Sequence, residues 1–121
     1  MSVAASVLSI VLFLAFAAAG LQKIRFNPMM SGAAEHLGFT KAAYQRIGVL
    51  EFAGAVGVLI GLASSRSTFL GVLNIAAAAG LAVMMIGAVY FHLKTGDKFA
   101  LFAPAVALAV LSILELILRL G

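Results

Sequence analysis

The sequence predicts an all-α membrane protein, an up-down bundle of four transmembrane helices. Hydrophobic residues make up 64% of the 121 residues and charged residues only 10%, whereas soluble domains are about 45–50% apolar and about 25% charged. A soluble chain this short buries too small a share of its surface to hide so many apolar side chains. Four segments also reach the length of about 20 apolar residues that crosses a bilayer. The composition therefore excludes a soluble enzyme, a secreted disulfide scaffold and a disordered tail.

The predicted spans form a single domain that covers residues 1–121. They lie at about residues 3–21, 47–63, 68–91 and 99–118. We expect the first to remain as a membrane helix, because a cleavable signal peptide begins with a positive region and no Lys or Arg precedes this span. The third is longer than the bilayer core, so we expect it to tilt or protrude. The fourth has Pro104 in its second turn, where only a mild kink is expected.

The first connection is the longest and predicts a short helix that lies on the surface of the bundle or re-enters the membrane. Asn27-Pro28 is followed by a mildly amphipathic piece at 29–37, and loops of this length tend to be functional or mobile. The other connections, at 64–67 and 92–98, predict tight turns.

Three polar residues in these connections have predicted local roles. Thr40 and Asp97 each precede a helical run, where a short acceptor side chain satisfies the free N–H groups of the first turn. We therefore expect both to cap the helices that follow them. His36 lies in the long loop, and we expect it to be solvated.

The distribution of basic residues predicts that both termini lie outside and that the long loop is cytoplasmic. The first and third connections carry six of the eight Lys and Arg residues, namely Lys23, Arg25, Lys41, Arg46, Lys94 and Lys98. Basic residues concentrate in cytoplasmic loops, so we expect a multi-pass protein of a bacterial plasma (inner) membrane. The net charge of +4 is dispersed rather than clustered, which indicates membrane lipid and not nucleic acid as a partner.

Glycines in the second span predict close packing between helices. They are Gly48, Gly54, Gly57 and Gly61. Small residues let helix backbones approach in lipid, where packing drives helix association. Two uses remain open, since these glycines could hold the monomer together or form the face of a homo-oligomer.

Three ionisable side chains are expected at one depth near the cytoplasmic surface. Glu51 lies about one turn inside the second span, Lys23 at the end of the first and His92 at the end of the third. Ionisable groups within a membrane are costly and usually face the bundle interior. One interpretation is a structural ion pair between Glu51 and Lys23. The other is that all three bind a polar headgroup or a quinone carbonyl, or carry a proton.

No complete set of catalytic residues is evident, and we expect none. Two histidines on different elements do not make a metal site without further ligands at a known spacing, and the absence of cysteine excludes thiol chemistry. At the outer end, Glu115 and Arg119 have the i,i+4 spacing of a pair within one helix.

Motifs along nearly the whole chain resemble those of the DoxX-like family of small four-helix membrane proteins. Gly20-Leu21-Gln22-Lys23 is similar to the Gly-x-x-Lys ending of the family's first helix, and Gly48-Val49-Leu50-Glu51 to the Gly-x-x-Glu segment that opens its second helix. Phe91-His92-Leu93 resembles the ending of the third. The resemblance marks Lys23, Glu51 and His92 as the positions to test, and Gly20 and Gly48 as packing positions.

The family takes its name from the small subunit of a thiosulfate:quinone oxidoreductase. The resemblance therefore implies a non-catalytic accessory subunit or scaffold of a membrane complex, of which a quinone-linked oxidoreductase is one candidate. It implies other membrane subunits or a second copy as partners, and a quinone or lipid as the bound molecule. The chain departs from quinone enzymes that use thiols, because it has no cysteine.

Two alternatives remain open. One is a membrane enzyme that binds a lipid, sterol or quinone and uses Glu51 and His92 as acid and base. The other is a small multidrug transporter, which the length and four spans suggest. Such exporters are expected to have a Glu in the first span and a Trp in the last, and this chain has neither. The substrate and any enzymatic activity remain open.

Overall fold

The computed structural model describes residues 3–63 and 68–120, and these residues are helical apart from short connections. The helices are α1 (Val3–Arg25), α2 (Pro28–Leu37), α3 (Lys41–Ala63), α4 (Thr68–Thr95) and α5 (Phe99–Leu120). All except α2 have the length and hydropathy to cross a membrane. The predicted bundle of four membrane-spanning helices is thus confirmed, as is the extra short helix. The predicted turn at 64–67 lies outside the described residues.

The four long helices form a ring in the order α1, α3, α4, α5. The largest contact is between α1 and α3, and the smallest is between α1 and α5. The core is filled by apolar side chains from all four long helices, namely Leu12, Phe16, Ala55, Val58, Leu81, Met85 and Ala109. Since neighbouring helices alternate in direction, α2 and the α4–α5 connection lie at the same end of the bundle. We call this end the α2 end and the opposite one the far end.

The helices continue past the predicted spans, mostly at the α2 end. Helix α4 has 28 residues, or about 42 Å at 1.5 Å per residue, which exceeds the roughly 30 Å of hydrocarbon. Helix α1 continues to Arg25, and α3 begins at Lys41. Apolarity marks where a helix leaves the lipid. Backbone hydrogen bonding continues beyond that point, because helical hydrogen bonds join residues four apart and do not require lipid around them.

Side-chain caps determine where the connections begin and end. Asn27 Oδ1 accepts a hydrogen bond of 3.0 Å from the Met30 N–H, and Gly38, with φ of 85°, closes α2. Thr40 Oγ1 accepts one of 3.1 Å from the Ala43 N–H, which confirms the predicted cap of α3. Asp97 does not have its predicted capping role, because its carboxylate binds two histidine rings.

The structure places the five packing glycines at contacts inside the bundle. A Cβ on Gly20 would lie 2.5 Å from Gly48 O, and one on Gly48 would lie 2.7 Å from Gly20 O. The α1 and α3 backbones therefore touch at a point where no larger residue fits. The other three glycines lie on α3 against side chains of α4, in the pairs Gly54–Leu81, Gly57–Ala77 and Gly61–Asn74.

Candidate functional site

The structure brings Lys23 and Glu51 together as an ion pair at the α2 end. Lys23 Nζ lies 2.8 Å from Glu51 Oε1, and the Glu51 side chain is 1% exposed whereas that of Lys23 is 18% exposed. The reason is local, because each charged residue follows by three positions the glycine that makes the contact between α1 and α3. Residues three apart share a helix face, so the Gly20–Gly48 contact carries the two side chains toward each other.

The pair leaves one acceptor open. Glu51 Oε2 is buried and has no hydrogen-bond partner among the described residues. The Lys23 ammonium also lies 5.5 Å from the centre of the Tyr44 ring, a favourable position for a cation. A buried acceptor without a partner is destabilising by about 1–3 kcal/mol.

A cavity of about 440 Å³ lies beside this pair. It falls within the range of about 300–1,000 Å³ that is usual for pockets holding small organic molecules. Four of its lining residues are polar or charged, namely Lys23, Tyr44, Glu51 and His92. The rest of the wall is apolar and consists of Ala19, Leu37, Phe39, Ile47, Leu50, Met84, Met85, Gly87, Ala88, Phe91, Leu101, Pro104, Ala105 and Leu108.

His92 reaches the cavity from α4 and belongs to a second polar cluster. His92 Nδ1 lies 2.7 Å from Asp97 Oδ2, and His36 Nε2 lies 2.6 Å from Asp97 Oδ1. The His92 ring is stacked on Phe102, with 6.0 Å between ring centres. Within residues 3–63 and 68–120, no hydrogen bond or ion pair joins His92 to Glu51. Thus the three predicted site residues share one cavity, but only two of them touch.

Asp97 joins the surface helix to the bundle. Its carboxylate accepts from His92 of α4 and from His36 of α2, and these hydrogen bonds lower the pKa of the Asp97 carboxyl below its ordinary value. His36 is 52% exposed, so the expectation of a solvated ring is only half right, because one edge of the ring is bound. Local patterns could not reveal this contact, since His36 and Asp97 are 61 positions apart.

A further buried polar cluster lies at the far end. Arg119 Nε lies 3.6 Å from Glu115 Oε1, as the i,i+4 spacing predicted. Sequence reasoning missed Ser9, whose hydroxyl donates to Glu115 across the α1–α5 contact. Asn74 Nδ2 donates to Val58 O at 2.8 Å. The Ser9 bond joins α1 to α5, the Asn74 bond joins α4 to α3, and the Glu115–Arg119 pair lies within α5.

No group of three or more His, Asp or Glu side chains is arranged to hold a metal ion in the part of the chain that the structure describes. The cavity therefore stands out as the place where these residues could bind another molecule, and its apolar wall suits an organic one.

Comparison with known proteins identifies the family. The sequence matches the model of the DoxX-like family over residues 7–114, a range that includes the Lys23–Glu51 pair, His92 and Asp97. No curated protein and no solved structure matches the chain. Since the family match extends over all four membrane helices and most of the 121 residues, the chain belongs to the DoxX-like family.

Proposed function

We propose that this protein is a non-catalytic subunit of a membrane complex and that it binds a neutral amphipathic molecule in the cavity between its helices. The observation that carries the proposal is the composition of the cavity wall. Four polar side chains lie among apolar ones in a space of about 440 Å³. Such a wall suits a molecule with a small polar head and an apolar body.

The ion pair favours a neutral head over a charged one. Lys23 and Glu51 neutralise each other at 2.8 Å. An anionic head would compete for Lys23 and leave Glu51 buried without its partner, a loss of about 3–5 kcal/mol in comparable buried pairs. A neutral head leaves the pair intact. Its hydroxyl can donate to Glu51 Oε2, or its carbonyl can accept from Lys23, and a quinol and quinone offer these two groups in turn.

The alternative of an enzyme that uses Glu51 and His92 as acid and base has less support. Both groups would have to exchange protons with one bound molecule. However, Glu51 is held by Lys23, and the Nδ1 atom of His92 is held by Asp97. A transporter role has no specific observation in its favour. We therefore propose that binding, and not turnover, is what this chain contributes to a complex.

Native mass spectrometry of gently solubilised protein tests the proposal. We expect the wild-type chain to retain a neutral molecule, and Ala105→Phe to lose it because Ala105 lines the cavity. Ala107→Phe is the matched control, since Ala107 lies on the exposed face of α5, away from the cavity wall. Purification of the wild type should also recover another membrane protein at a fixed ratio. The proposal is wrong if the wild type retains no small molecule or if Ala105→Phe retains it.

A further inference from the structure

We infer that the bound molecule enters sideways from the leaflet at the α2 end, through an opening between α3 and α4, and keeps its hydrocarbon chain in that opening. This inference rests on the proposed function. It narrows the ligand to an amphiphile with a neutral head and a long flexible chain. We call the opening the α3–α4 window and define it by Ile47, Leu50, Met84 and Ala88.

Helices α3 and α4 are in close contact in their far halves, at the glycines of α3. A Cβ on Gly54 would lie 2.7 Å from Leu81 Cδ2, and one on Gly57 would lie 2.8 Å from Ala77 Cβ. Gly54 and Gly57 lie on one face of α3, and Ala77 and Leu81 lie on one face of α4, since residues three or four apart share a helix face. We call these two rows of residues the α3 stripe and the α4 stripe. In this half, the glycines let α4 side chains fill the space between the helices.

Both stripes continue toward the α2 end, where their residues line the cavity. Four residues before Gly54, the α3 stripe reaches Leu50, which is 59% exposed. On α4, the corresponding positions after Leu81 are Met84 and Ala88. All three of these residues line the cavity. Leu50 is therefore both part of the cavity wall and exposed on the outside of the bundle, and we place the opening to lipid at this position.

The window has a defined height. Its edge toward the far end is the Gly54–Leu81 contact. At its edge toward the α2 end, the Phe39 ring packs on the Phe91 ring with 4.7 Å between ring centres. Leu81 and Phe91 are separated by about 15 Å along α4 at 1.5 Å per residue. The side chains that define the window are apolar, so a hydrocarbon chain that passed there would not desolvate polar groups.

A second route exists but is less favourable. A cavity of about 230 Å³ lies between α1 and α2, beside Met29 and Met30, and shares Ala19, Lys23 and Tyr44 with the main cavity. A chain that passed there would have to cross Lys23, which binds Glu51 at 2.8 Å and lies over the Tyr44 ring. An apolar chain cannot replace either contact. Of these two routes, the contacts of Lys23 favour the α3–α4 window.

The test compares two probes with one ring, a fully substituted benzoquinone that carries either a decyl chain or a methyl group. Leu50→Trp should weaken binding of the decyl probe by about tenfold or more and should weaken binding of the methyl probe much less, because Leu50 also lines the cavity. Val49→Trp is the matched control, because Val49 is also exposed to lipid but does not line the cavity. It should change neither affinity. Met84→Trp closes the window from α4 and should reproduce the effect of Leu50→Trp.

A reversible block checks the same point in a single folded protein. The chain has no cysteine, so Leu50→Cys with Met84→Cys gives one pair for a flexible thiol crosslinker that a reductant cleaves. Bridging should slow uptake of the decyl probe, and reduction should restore it. The inference is overturned if bridging has no effect, or if Met30→Trp, and not Leu50→Trp, weakens the decyl probe. If neither probe binds the wild-type chain, the proposed function fails and the inference fails with it.

Discussion

Glu51 and Lys23 differ in their access to water, and this difference determines what each contributes. The Glu51 side chain is 1% exposed and that of Lys23 is 18% exposed. A lysine near a membrane surface can extend its ammonium to the headgroups, whereas a buried carboxylate on a helix interior cannot. Loss of the lysine should therefore harm the fold more than loss of the carboxylate.

We predict an asymmetric double-mutant cycle at this pair. Lys23→Met leaves an unpaired buried carboxylate and should lower the free energy of unfolding by up to about 3–5 kcal/mol. Glu51→Gln should cost less, and the double variant should be more stable than Lys23→Met alone. Melting temperatures in one detergent give the coupling energy. Glu35→Gln, at an exposed site on α2, is the control. Additive effects at Lys23 and Glu51 would contradict a stabilising ion pair.

At the scale of elements, α2 is the helix with the fewest attachments. It touches α3 and α4 only slightly, and its last turn is tied to the α4–α5 connection by the His36–Asp97 bond of 2.6 Å. Leu37 and Phe39, at the end of α2 and just beyond it, form part of the cavity wall. The position of α2 and the lower end of the cavity therefore depend in part on Asp97.

The lowered pKa of Asp97 predicts how this attachment responds to acid. A carboxyl whose pKa is lower in the folded state stabilises that state above its ordinary pKa of 3.8. The stabilisation is lost as the pH falls through the lowered value. We expect Asp97→Asn to reduce the amide-exchange protection of α2 at neutral pH, relative to wild type and to the control Glu35→Gln. The difference should vanish in strong acid. Equal protection in both proteins at neutral pH would show that Asp97 does not hold α2.

In the whole molecule, one end of the bundle is much richer in basic residues than the other. The α2 end carries six of the eight basic residues, and it also holds the cavity and the ion pair. If the positive-inside rule applies, the cavity lies at the cytoplasmic leaflet of the plasma membrane and both termini lie outside. A partner or ligand at the cytoplasmic leaflet would then reach the cavity without crossing the hydrocarbon core of the bilayer.

Reporter fusions test this orientation. A fusion after Ser65 should report the outside, and a fusion after Gly96 should report the cytoplasm, because an up-down bundle places alternate connections on opposite sides. Fusions at the two termini serve as controls and should agree with Ser65. If Ser65 and Gly96 report the same side, the four-span topology in the membrane is wrong. If they report opposite sides in the reverse sense, only the orientation is wrong.

Properties that depend on neighbouring residues could be predicted from the amino-acid sequence alone. Four apolar runs are sufficient to predict four spans, because the bilayer requires every backbone polar group to be satisfied within its own segment. Thr40 was identifiable as a cap, because capping involves only the next few residues. Glu51 was recognisable as unusual, since charged residues are rare within apolar runs, and an ion pair with Lys23 was one of two interpretations that the sequence left open.

Contacts between residues that are distant in the sequence are visible only in the three-dimensional structure. Asp97 looks like a cap in the sequence, yet its carboxylate binds His36 and His92, and nothing local distinguishes the two roles. Ser9 looks like an ordinary small residue until α1 packs beside Glu115. The cavity is lined by residues of all five helices, so it depends on how the helices pack, and periodicity along any one helix could not reveal it.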